Sequence, residues 1–162
     1  MKRTLRHTLL GLVATLSLAA SLPALAFDEQ STSAINVDKH GVILHGYDAV
    51  AYFEGKPAKG SVKYTATYDG ATYQFASAAH RDAFTANPQK YAPQFGGFCA
   101  LGVSRIAKVD IDPHAYKIVG DKLYVNINPK GQKFWLTDLD NNIHTAEQQW
   151  PQIRNKAPKD LQ

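Results

Sequence analysis

The Asp69-Gly70 pair, set between two segments of alternating polarity, constrains the fold of this chain most strongly. Val62 to Tyr68 alternates at period two, and Ala71 to Phe75 resumes the strand pattern after the pair. Asp-Gly is a favoured two-residue hairpin turn because both positions tolerate positive φ. The spacing therefore predicts an antiparallel hairpin over Val62–Phe75. A second hairpin is predicted from Ala115–Val119 and Leu123–Ile127 across Gly120-Asp121. Gly41–Leu44, a short β-branched run, reads as a further strand.

Helical signals lie around these hairpins. Ser77 is a good N-cap for a helix through Phe84, and Asn87-Pro88 stops it. Phe98 to Ile106 reads as helix, as do Phe134–Leu136 and Ile143–Trp150, with Pro151 as terminator. Hairpins with helices segregated around them define an α+β domain. Phe27–His40 is polar and reads as a flexible lead-in, 41–153 as the domain, and 154–162 as a polar tail.

The first 26 residues follow an export pattern. Lys2, Arg3 and Arg6 precede an apolar stretch that closes at Ala24-Leu25-Ala26. That is the three-part secretory signal, too short and too rich in Ala and Ser for a spanning helix. The expectation is cleavage before Phe27, residence in the periplasm, and no transmembrane segment afterwards. Whole-chain charge is 18 Lys plus Arg against 14 Asp plus Glu; loss of the signal removes three cations and leaves 15 against 14. No basic stripe remains to neutralise phosphates, which excludes a nucleic-acid partner.

Cys99 is the sole cysteine, so an intramolecular disulfide is impossible. It follows Gly96-Gly97 and opens a predicted helix, a setting that suits a thiolate ligand. It equally suits a small buried hydrophobe. His45, beside Tyr47-Asp48, and His114, beside Asp112, are read as loop residues that complement Cys99 as copper or zinc ligands. His80 falls on the first turn of a helix and is expected to face water. Tyr47 and Asp48 are candidate ligand-binding residues, or else a structural unit of ring and carboxylate. No Gly-x-Ser-x-Gly, His-Glu-x-x-His or phosphate loop occurs. A Cys99–His dyad would lack an evident third group, so an enzyme is disfavoured.

Three blocks in order resemble the exported YHS-domain family. The first is Gly46-Tyr47-Asp48-Ala49-Val50-Ala51-Tyr52-Phe53. The second is Tyr73-Gln74-Phe75-Ala76-Ser77 followed by Phe84, Asn87-Pro88 and Tyr91. The third is Tyr91-Ala92-Pro93-Gln94-Phe95-Gly96-Gly97-Phe98-Cys99-Ala100. Leu123–Asn126, Trp135 and Trp150-Pro151 fit the C-terminal half. The resemblance implies a YHS-like fold over 41–153, and its wider relatives include copper- and zinc-handling modules. Their cysteine positions match Ala51, Ala76 and His80 here, and alanine has no donor atom. Two expectations follow: a periplasmic protein binding copper or zinc through Cys99, His45 and His114, or a module for a protein partner or small molecule with Cys99 structural.

Overall fold

The computed structural model describes residues 27–161. The expected signal segment, 1–26, lies outside the described residues. The described residues form an α+β domain of two antiparallel two-stranded sheets and five α-helices. In the first sheet β1 (Ser61–Tyr68) pairs with β2 (Ala71–Phe75), as Asp69-Gly70 predicts. Asp69 and Gly70 have φ of 50° and 78°, the two positive values that let a two-residue loop follow the strand twist. β3 (Asp112–Val119) and β4 (Lys122–Asn126) form the second sheet, turning through Gly120 and Asp121 at φ 54° and 57°.

Each hairpin leads into a capped helix. The Ser77 hydroxyl accepts from the His80 N–H at the start of α1 (Ala78–Ala86). Asn87 ends α1 and also caps α2 (Pro88–Tyr91), with Pro88 in the first turn where no N–H is needed. The same Asn-Pro device starts α4 (Pro129–Leu136): the Asn128 side chain accepts from Gly131 N–H at 2.7 Å. Between the hairpins lies α3 (Ala100–Ser104), shorter than the predicted Phe98–Ile106.

Two expected element boundaries need correction. Gly41–Leu44 is not a strand; Val42 and Ile43 make single bridges to Thr72 and Val37, and the chain then enters a 3₁₀ turn at Leu44–Gly46. Leu44 and His45 at φ 55° and 53° leave the β region there, which ends pairing. Pro151 does not stop the last helix. It lies inside α5 (Leu139–Ile153), which therefore lacks one i→i−4 donor, to the Glu147 carbonyl.

Segments 27–40 and 154–162, expected as lead-in and tail, both pack on the domain as far as residue 161. Asn36 and Ala157 are buried, and Lys159 N–H donates to the Glu29 carbonyl. Lys108 joins the two segments. The residue is only 3% exposed, and its ammonium donates to the carbonyls of Ser33, Arg154 and Lys156 at 2.6, 3.1 and 2.7 Å. It also sits 4.7 Å from the Phe98 ring centre. Three donors meet three acceptors, which is why a charge is tolerated there. Burial still pulls its pKa down to about 8.

Among the described residues the interior has two apolar clusters. Ile43, Tyr52, Tyr73, Phe75, Phe84, Cys99 and Leu123 are in the first. Phe95, Phe98, Val103, Tyr124, Trp135 and Ile153 are in the second. Half-buried Leu101 touches both.

Candidate functional site

The predicted site residues fall into separate settings. Cys99 is 1% exposed and serves as the N-cap of α3. Its sulfur accepts from Gly102 N–H at 3.4 Å and Ile127 N–H at 3.2 Å, with Asn126 Oδ1 3.8 Å away. Burial pushes its thiol pKa up, and the backbone donors only partly oppose this. A cap needs an acceptor in that place, and sulfur supplies a weak one. The sulfur is thus committed to backbone groups.

Asp48, the carboxylate of the first motif block, is fully buried and fully engaged. Its Oδ1 accepts from Val50 and Ala51 N–H at 2.9 and 3.3 Å. Its Oδ2 accepts from Ala76 N–H at 2.8 Å and lies 2.6 Å from His80 Nδ1. His80 Nε2 reaches Glu54 at 3.2 Å. His80 therefore does not face water as expected: the Asp48 carboxylate beneath the first turn of α1 draws the ring inward. Asp48 thereby fastens the Tyr47–Phe53 segment to the junction of β2 and α1.

His45 and His114 occupy the surface nearby. His45 Nε2 lies 2.8 Å from Asp110, whose other neighbour is the Asn36 amide at 3.0 Å. The hydrogen bond to Asp110 raises the His45 pKa, with burial opposing. Burial acts to raise the Asp110 pKa, but its bonds to His45 and Asn36 outweigh that and hold it below the usual carboxylate value. His114, expected in a loop, is an exposed residue of β3. The Tyr47 hydroxyl lies 3.0 Å from its Nε2, with the rings edge-on at 5.2 Å. The Lys59 ammonium sits over the Tyr47 ring and donates to the His45 carbonyl. Among the described residues, no group of three or more His, Cys, Asp and Glu side chains is arranged to hold a metal ion. Cys99, His45 and His114 are accordingly not brought together as a ligand set.

A cleft that sequence reasoning did not anticipate opens on another face. It has a volume of about 400 Å³ and lies between the tip of the first hairpin, the loop after α2, and α5. Its aromatic walls are Tyr68 and Tyr73 from the first sheet, Phe95 from the Gly96-Gly97 turn, and Trp150 from α5. Phe95 and Trp150 pack with ring centres 6.1 Å apart. Asp69, Glu147 and Arg154 supply charge around it, and Ala34 and Ile35 of the N-terminal segment complete one wall. That wall depends on Gly96, at φ 60°; a Cβ there would stand 1.9 Å from the Ala34 carbonyl oxygen. Phe95 itself holds φ 53°, a conformation costly for a side-chain-bearing residue. The signal was present in part: the third motif block contains Phe95-Gly96-Gly97, and Trp150-Pro151 closes the resemblance. Nothing in the spacing showed that residues 55 positions apart share one cleft.

Among the described residues, no helix is long and apolar enough to cross a membrane. Comparisons with protein-family models, with curated proteins and with solved structures gave no match to the chain.

Proposed function

We propose that this chain is an exported, YHS-like binding module that takes a small molecule in the Trp150 cleft, with Cys99 as a structural residue. The observation that carries this reading is the cleft itself. Its volume of about 400 Å³ lies within the roughly 300–1,000 Å³ range of small-molecule sites. Aromatic side chains from three different parts of the chain converge on it, and charged groups ring it. The placement of Cys99 under two backbone N–H groups supports the structural role. Export rests on the Ala24-Leu25-Ala26 pattern, and the YHS-like relation rests on the three motif blocks.

The test is a screen of metabolite-sized compounds by melting temperature and by amide chemical shifts. A hit should raise the melting temperature and move resonances of Phe95, Gly96 and Trp150. A broad library that moves neither rejects the cleft as a site. Copper or zinc binding through Cys99, His45 and His114 is the competing proposal. Stoichiometric metal in protein purified from the periplasm, lost in a folded Cys99→Ser variant, would replace the cleft reading. An intact mass starting at Phe27 checks export.

A further inference from the structure

We infer that the cleft selects a free aromatic amino acid, a small zwitterion with one planar apolar ring. This rests on the cleft being the binding site and goes further by naming the chemistry of its ligand. Half-buried Trp150 and Tyr68 present ring surface to the cleft, with Phe95 behind them. Such faces take another ring in offset or edge-on geometry.

The charges around these rings are of both signs. Arg154 lines the cleft, and its guanidinium makes no ion pair or side-chain hydrogen bond among the described residues. Its planar fork matches a carboxylate. The Asp69 carboxylate, held at the hairpin tip, is likewise without an ion pair among the described residues. Glu147 differs, because Lys122 lies 3.4 Å from its carboxylate. Its carbonyl, however, lacks the helical donor that Pro151 cannot supply, so a residue that lines the cleft carries a backbone acceptor without its i+4 helical partner. An ammonium finds acceptors at Asp69 and the Glu147 carbonyl, and a carboxylate finds Arg154. A simple anion would face Asp69 and Glu147, and a simple cation would face Arg154. A ligand bearing both charges on one small frame satisfies the whole set, and the aromatic walls supply the reason for a ring.

The experiment is a calorimetric and amide-shift titration of the mature protein with L-phenylalanine and three truncated probes. Phenethylamine lacks the carboxylate, 3-phenylpropionate lacks the ammonium, and glycine lacks the ring. L-Phenylalanine should bind at least about tenfold more tightly than each, since one charge-assisted hydrogen bond, or for glycine the burial of the ring, is worth at least that much. Arg154→Gln should erase its advantage over phenethylamine, and Asp69→Asn its advantage over 3-phenylpropionate. Both side chains are exposed, and Asn tolerates the positive φ at position 69, so both variants should keep the wild-type circular dichroism. Equal binding of a singly charged probe, or a preference that survives both substitutions, overturns the ligand assignment. Should these four compounds fail while other compounds shift the cleft resonances, the ligand class is wrong and the cleft stands. Should nothing shift them, both fall together.

Discussion

Replacing Asp48 by Asn is the sharpest test of how this fold is held. The substitution keeps the shape and removes one acceptor oxygen and the charge. Wild-type Asp48 satisfies Val50 and Ala51 N–H with one oxygen, and Ala76 N–H and His80 with the other. Asparagine can serve one of these pairs. Its NH₂ must then face a backbone N–H, and no water reaches a site with 0% exposure. One buried donor left unpaired costs about 1–3 kcal/mol, and loss of the charge-assisted bond to His80 adds about 1–2 kcal/mol. The expected loss is about 3 kcal/mol, with Asp48→Ala larger because all four contacts go. That is a large part of the 5–15 kcal/mol typical of a domain. Urea denaturation followed by tryptophan fluorescence measures it; with a slope of about 1–3 kcal/mol/M the midpoint should fall by at least about 1 M. A double-mutant cycle with His80→Ala should give a coupling of about 1 kcal/mol or more. A loss below about 1 kcal/mol, or strict additivity, would show that Asp48 does not fasten the first motif to α1.

Four further outcomes are expected. The Cys99 thiol should resist alkylation until the protein unfolds, and Cys99→Ala should cost about 1–3 kcal/mol through the cap and the contacts it removes; rapid labelling of folded protein would contradict the burial argument. Lys108→Met should lower stability by roughly 2 kcal/mol or more, because three buried carbonyls lose their donor. Since the Lys108 pKa is lowered to about 8 from 10.5, the unfolded chain binds more protons between these values. The wild-type advantage over Lys108→Met should therefore grow as pH rises from about 8 to 10.5, and a falling difference would reverse the sign. For His45 the folded pKa is raised above 6.5, so the Asp110 pair should contribute fully below that pH and fade as pH rises through the folded value; His45→Gln should flatten this slope, and an unchanged slope would assign it elsewhere. Gly96→Ala should destabilise by about 2 kcal/mol or more and loosen the Ala34–Ile35 wall, seen as faster amide exchange of Asn36, which donates to the Gly96 carbonyl.

The hairpins, the Ser77 cap and the α+β class were legible because their causes are local. Alternation at period two, a turn pair that tolerates positive φ and a hydroxyl before a helix each act within a few residues. The errors had non-local causes. Gly41–Leu44 carries strand residues, but the backbone of Leu44 and His45 is bent to place His45 against Asp110 and the Asn36 segment. Pro151 reads as a terminator, yet Ile153 beyond it is buried in the second cluster and the helix continues to reach it. The termini read as polar margins because their role depends on Lys108, which carries no sequence mark distinguishing a buried cation from a solvated one.

Sequence by itself determined the two hairpins, the capped helix after the first of them and the single thiol, since backbone preference and side-chain period are short-range properties of the chain. Tertiary structure decided what the polar residues do. It buried Asp48 under four donors, turned His80 inward onto it and set Cys99 to cap a helix. It also brought Tyr68, Phe95 and Trp150 around one cleft. The physical reason is that a carboxylate, imidazole or thiol has no intrinsic role. Burial, partners and distance assign it, and those exist only once segments far apart in sequence have packed together.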